Sequence, residues 1–224
     1  MIARELLGTA RVPGGEELRL FRHDRDFMIV LGGNELMSSR MSGSEIALAE
    51  QTLARLGKPA APCVLIGGYG MGFTLRAAQA ATGPRAELVV CELVPEIIEW
   101  ARGPMAHLAA GCLDDKRVRL MMGDVAFAID GARGEYDAIL LDVDNGPDGL
   151  VRADNNGLYS KSGLRSAMNA LKVGGILAVW SAYADPAFAR RLERAGFAVE
   201  EITVRARSNG KGPKHTIWFG RKAG

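Results

Sequence analysis

The chain has 224 residues, 48% hydrophobic and 24% charged, an ordinary globular composition long enough to bury a core without disulfides or metals. With 28 Lys+Arg against 26 Asp+Glu, its formal charge of +2 gives no electrostatic reason to expect nucleic acid or a membrane surface as partner. Cys63, Cys91 and Cys112 lack CxxC spacing and read as small buried hydrophobes in a reducing cytoplasm, which sets aside a disulfide frame and a metal site.

In chain order, the opening MIARELLGTARVPGG carries an acid early and no long apolar run, so it does not read as a signal peptide. Nothing further on approaches the roughly 20 apolar residues of a membrane helix. Residues 18–39 (LRLFRHD, DFMIVL, then ELMSS after Gly32-Gly33-Asn34) predict a small antiparallel β-ribbon, whose exposed edge is compatible with a homodimer. Ser42 or Ser44 can cap the next helix, SEIALAEQTLARLG. Ile46, Ala49, Leu53 and Leu56 give it an apolar face and Gly57 ends it.

From residue 60 apolar runs alternate with helical stretches. PCVLIGG precedes FTLRAAQAA, AELVVCE precedes PEIIEWAR, and KRVRLMMGD precedes VAFAIDGA; YDAILLDVD, SGLRSAMNAL and GGILAVWSA follow. Strands this uniformly apolar are covered on both faces, as in a doubly wound parallel sheet. After the helix DPAFARRLERAG, the runs FAVEEITVRA and HTIWFG are joined only by RSNGKGPK, a solvated hairpin loop, and predict an antiparallel pair at one sheet edge. The expected fold is α/β: a doubly wound, mostly parallel seven-stranded sheet, which with its antiparallel addition resembles the Rossmann-like methyltransferase fold. Residues 1–42 are expected to form the β-ribbon region and residues 43–224 the α/β domain.

The first crossover, VLIGGYGMGFTLR, contains Gly67, Gly68, Gly70 and Gly72. Glycines here serve a tight turn, the close approach of a ligand, or both. Glu92, with Leu93 after it, ends the second strand, where a carboxylate can accept from ribose hydroxyls. Asp124, with Val125 after it, ends the third strand and can accept from an adenine amine, cap the following helix, or do both. The G-x-G-x-G spacing and the antiparallel tail favour a sulfonium nucleoside over NAD. His23, His107 and His215 show no metal-ligand spacing.

The stretches IGGYGMGFTLR, VVCELVPEIIEWAR, RLMMGDVAFAI, YDAILLDVDNGPDG, GLYSKSGL and LKVGGILAVW resemble, in order, the polyamine aminopropyltransferases typified by spermidine synthase. The resemblance implies transfer of an aminopropyl group from decarboxylated S-adenosylmethionine to a small amine, without a metal. It places Glu92 at the ribose, Asp124 at the adenine, and Asp142 at the sulfur as catalytic base, with Asp144 beside it. Tyr159 matches a position near the acceptor, and reads equally as a lid or core aromatic; core packing is the better reading of Trp180. Tyr69, Gly70 and Met71 stand where the family's glycine loop carries an acid, and Leu48-Ala49 fall near its Tyr-His pair. The alternative activity is a methyltransferase using intact S-adenosylmethionine.

Overall fold

The computed structural model describes residues 4–13, 15–57, 59–143 and 157–224. Strands β1 (Glu5–Arg11), β2 (Glu17–His23), β3 (Asp26–Leu31) and β4 (Asn34–Ser38) form an antiparallel meander in chain order. The expected ribbon is therefore β2–β4, and β1 is an addition. Its sequence ELLGTAR hides the strand because its apolar residues are not cleanly buried; Leu6 is exposed. Gly8 makes the placement of β1 work: a Cβ there would lie 2.5 Å from the Trp100 ring nitrogen.

The second sheet has seven strands: β5 (Cys63–Gly67), β6 (Glu87–Glu92), β7 (Val118–Met122), β8 (Tyr136–Leu141), β9 (Leu171–Ser181), β10 (Phe197–Arg205) and β11 (Lys214–Lys222). Their order is β10-β11-β9-β8-β5-β6-β7. The first five are parallel, and β11 lies antiparallel between β9 and β10. This is the fold the apolar runs predicted.

Helices α1 (Gly43–Leu56), α2 (Phe73–Ala81), α3 (Pro95–Arg102), α4 (Ala106–Ala109), α5 (Val125–Gly131), α6 (Lys161–Ala170) and α7 (Pro186–Arg194) complete the described chain. Strand residues alternate between two cores because side chains on a strand point to opposite faces. Val64, Ile66, Leu88 and Val90 pack with α1–α3 and the N-terminal sheet, while Leu65, Val89, Ile139 and Leu141 pack with α5–α7. The N-terminal sheet thus shares a core with the large one. No helix among the described residues is long and apolar enough to cross a membrane.

After β7 the chain returns to the other side of β5, so the crossovers diverge between β5 and β8. A crevice opens at the carboxyl ends of strands where connections diverge in this way. The glycine loop and Asp142 follow these two strands directly.

Candidate functional site

At this divergence lies a cavity of about 460 Å³, within the ordinary range for small-molecule sites. Its floor is built from strand ends. Gly68 turns the chain out of β5 with φ +85°, and a Cβ on it would sit 2.5 Å from the carbonyl oxygen of Asp142. Only glycine allows both the left-handed turn and this approach. Gly70 also has positive φ, and its missing Cβ leaves space that the Met37 methyl fills.

Glu92, the last residue of β6, is 5% exposed and accepts backbone N–H groups from Tyr69 at 2.9 Å and Val94 at 2.8 Å. Burial pushes its carboxyl up, and these backbone donors pull against that shift. The carboxylate thereby ties the glycine loop to the end of the second parallel strand. Asp124 lines the cavity and also caps α5, its Oδ1 accepting from the Ala126 N–H at 2.9 Å. The capping reading therefore holds, and the residue also borders the cavity.

Asp142 follows β8. Its Oδ2 accepts a 2.6 Å hydrogen bond from the Thr74 hydroxyl in the first turn of α2. Burial pushes its carboxyl up to about 6, opposed by that donation. Glu45, in the first turn of α1, faces the same space. Burial, then the neighbouring Asp142 charge, push it up to about 8.

Ser44 Oγ donates to Glu45 Oε2 at 2.7 Å and lies 2.9 Å from His215 Nδ1 on β11. The Trp180 ring at the end of β9 meets the His215 ring edge-on, with centroids 4.8 Å apart. Its indole N–H has no acceptor among the described residues. Overhead, Leu18, Ile29, Leu31 and Met37 of the N-terminal sheet form an apolar roof.

Of the residues singled out from sequence, Gly68, Gly70, Glu92, Leu93, Asp124, Val125 and Asp142 line one cavity. Gly67 and Gly72 flank it without lining it: Val125 and Leu141 pack where a Gly67 Cβ would be, and the Tyr69 hydroxyl occupies that place at Gly72. Asp144 lies outside the described residues. Of the two readings of Tyr159, its packing matches the core aromatic. Tyr159 is buried in the second core, edge-on to Phe188 at 5.6 Å, and is not among the lining residues. Trp180 is buried in the first core, as expected, and also lines the cavity.

Glu45, Ser44, Thr74 and His215 were missed. A signal for Glu45 did exist. It shares a helical stripe with Leu48, Ala49, Thr52 and Leu53, all buried, so a carboxyl stands on the inward face of α1. The stripe read from Ile46 and Leu56 was rotated slightly outward; both are only partly buried. Ser44 is likewise turned inward, and Ser42, at the N-cap, makes no side-chain cap.

The described lining residues include six carboxyls (Glu16, Glu35, Glu45, Glu92, Asp124 and Asp142) and neither Lys nor Arg, so the cavity suits a cationic ligand. The sheet order is that of an α/β protein of the methyltransferase-like class. A sequence profile described as the spermine/spermidine synthase domain matches residues 52–188. The chain belongs to the spermine/spermidine synthase family.

The polyamine aminopropyltransferase of Mycobacterium tuberculosis is 30% identical over 198 residues, covering 84% of this chain and 36% of that protein. Spermidine synthase 2 of Arabidopsis thaliana is 33% identical over 116 residues, 51% of this chain and 32% of that one. The chain spans about a third of the length of these curated relatives. Among solved structures, spermidine synthase from Thermotoga maritima matches with a TM-score of 0.75 at 18% identity, over 97% of this chain and 73% of that one. A spermidine synthase in complex with the transition-state analogue AdoDATO matches equally well, with a TM-score of 0.75, 18% identity and coverage of 97% and 72%.

Proposed function

We propose that the protein transfers an aminopropyl group from decarboxylated S-adenosylmethionine to a small amine, with Asp142 as base. The observation that carries this reading is the cavity's acidic lining, six carboxyls with neither Lys nor Arg among the described residues. A dinucleotide would bring phosphates to a site without such a fixed cation, whereas a sulfonium and an ammonium find countercharges there. The residues fit the donor. Glu92, anchored by backbone N–H groups of the glycine loop and of Val94, stands at the strand end where ribose hydroxyls would donate, and Asp124 can accept from the adenine amine while capping α5. The apolar roof suits the methylene chain of an alkylamine.

An alkylamine has a pKa of about 10 and arrives protonated, so its nitrogen must lose a proton before it attacks. Asp142, held by Thr74, accepts that proton. The amine nitrogen then bonds to the donor's methylene carbon. The carbon–sulfur bond breaks with its electron pair going to sulfur, and a neutral thioether nucleoside leaves.

The test is turnover with a panel of diamines. Asp142→Asn is expected to lower kcat by at least about a hundredfold. In the unmodified enzyme, rate is expected to fall as pH drops through about 6, where Asp142 takes up a proton. Wild-type turnover of this donor with none of the amines, or an unaffected variant, would refute the assignment.

A further inference from the structure

Of the two buried glutamates that line the cavity, Glu45 and Glu92, the reaction leaves Glu45 without a task. It is 5% exposed, and among the described residues no Lys or Arg contributes to its surroundings. The groups facing it come from each element packed on the start of α1. Asp142 comes from the end of β8, and the Thr74 hydroxyl of α2 lies 3.4 Å from the Glu45 carbonyl oxygen. His215 of β11 reaches Ser44, and Trp180 of β9 backs His215. Glu200 of β10 is paired with Arg55 at the far end of the helix. The other charged side chains that line the cavity among the described residues are the acids Glu16, Glu35, Glu92 and Asp124.

Two neighbouring carboxyls without a fixed countercharge cannot both remain ionised in a desolvated space, so one keeps a proton until a cation arrives. Resting on the functional reading above, we propose that Glu45 is a second cation-binding carboxyl of this cavity. It holds a proton while no ligand is bound and gives it up when a ligand with two positive charges, a sulfonium and an ammonium, settles beside it and Asp142.

The glycine loop of this chain has Tyr69, Gly70 and Met71 where the family resemblance leads one to expect an acid. Of these, Tyr69 turns its hydroxyl away to Cys112 Sγ at 3.4 Å, and Met71 is buried. Glu45 supplies a carboxyl from the opposite wall. The direction of the linkage follows from its titration. Its carboxyl is held up at about 8 in the ligand-free protein, and an adjacent cation favours the ionised form. Affinity for a doubly charged ligand therefore rises as pH increases toward about 8 and levels off above it. Ser44 Oγ can donate to Oε2 in either state, so the exchange needs no movement of α1.

Titration calorimetry at pH 7, in buffers of different ionisation enthalpy, tests this with three probes. These are decarboxylated S-adenosylmethionine with two positive charges, intact S-adenosylmethionine with a compensating carboxylate, and neutral methylthioadenosine. Wild type is expected to release close to about one proton with the decarboxylated form, less with the intact form and none with the thioether. Glu45→Gln is expected to abolish the release and weaken the decarboxylated form about tenfold, while methylthioadenosine binds within about twofold of wild type, which also shows the variant folded. Binding of the decarboxylated form without proton release overturns the role of Glu45 and leaves the nucleoside reading standing. So does an equal loss of affinity for charged and neutral probes. If wild type binds none of the three, the nucleoside reading itself falls and takes this one with it.

Discussion

At neutral pH the Glu45 carboxyl is held above the range of an exposed glutamate, so its proton is linked to folding. Its ordinary value of 4.5 becomes about 8 in the folded chain, mainly through burial and then through Asp142. The folded state thus binds this proton more tightly than the unfolded state does. The associated stability is fully present below about 4.5 and is lost as pH rises through about 8. Glutamine mimics the protonated form, so Glu45→Gln is expected to melt with wild type near pH 5 and about 3 °C or more above it at pH 8. Thermal unfolding across that interval checks the sign, and a constant offset at every pH would contradict it. Glu92, Asp124 and Asp142 were legible beforehand because strand ends can be read from apolar runs. His215 was not, since Ser44 and His215 meet across 171 residues and no local spacing encodes that. Tyr159 was left between pocket and core for a related reason: GLYSKSG does not say which side of the sheet its aromatic ring will join.

Among the elements, the first turn of α1 depends most on a distant partner. The Gly43 N–H donates to the Ala206 carbonyl at 2.7 Å, where the hairpin between β10 and β11 begins. A Cβ on Gly43 would lie 2.5 Å from the Arg207 carbonyl carbon and 2.6 Å from the Ser208 nitrogen, both backbone atoms that cannot swing aside. Gly43→Ala is expected to cost about 1–3 kcal/mol. Gly33→Ala, whose Cβ would meet nothing within 4 Å, should stay within about 0.5 kcal/mol of wild type. Denaturant melts of the two variants compare them directly, and equal losses would deny that the hairpin anchors the helix. The sequence marked this hairpin as a solvated basic loop, which holds for its exposed side chains, but a contact made by glycine backbone leaves no compositional trace. The parallel strands were legible because burial on both faces makes them uniformly apolar. β1 was not, because its placement rests on a glycine lying over Trp100.

For the molecule as a whole, the sheet order shows how widely the site is gathered: Leu18 and Ile29 roof a cavity whose floor is Gly68, Glu92 and Asp142 and whose wall is His215. The seven-stranded sheet was predictable because consecutive βα units leave few alternatives. The roof was not, since nothing in the alternation of β2 and β3 says which face of which sheet they will cover. One feature of that order bears on how the protein is made. β11 lies between β9 and β10, so the earlier strand is tied to the sheet only through the later one. Until β11 pairs with β9, the imidazole side of the cavity is missing. Refolding is therefore expected to restore nucleoside affinity no sooner than Trp218, wholly buried on β11, acquires its native fluorescence. Ligand capture would then serve as a kinetic clock for the closing stitch of the sheet.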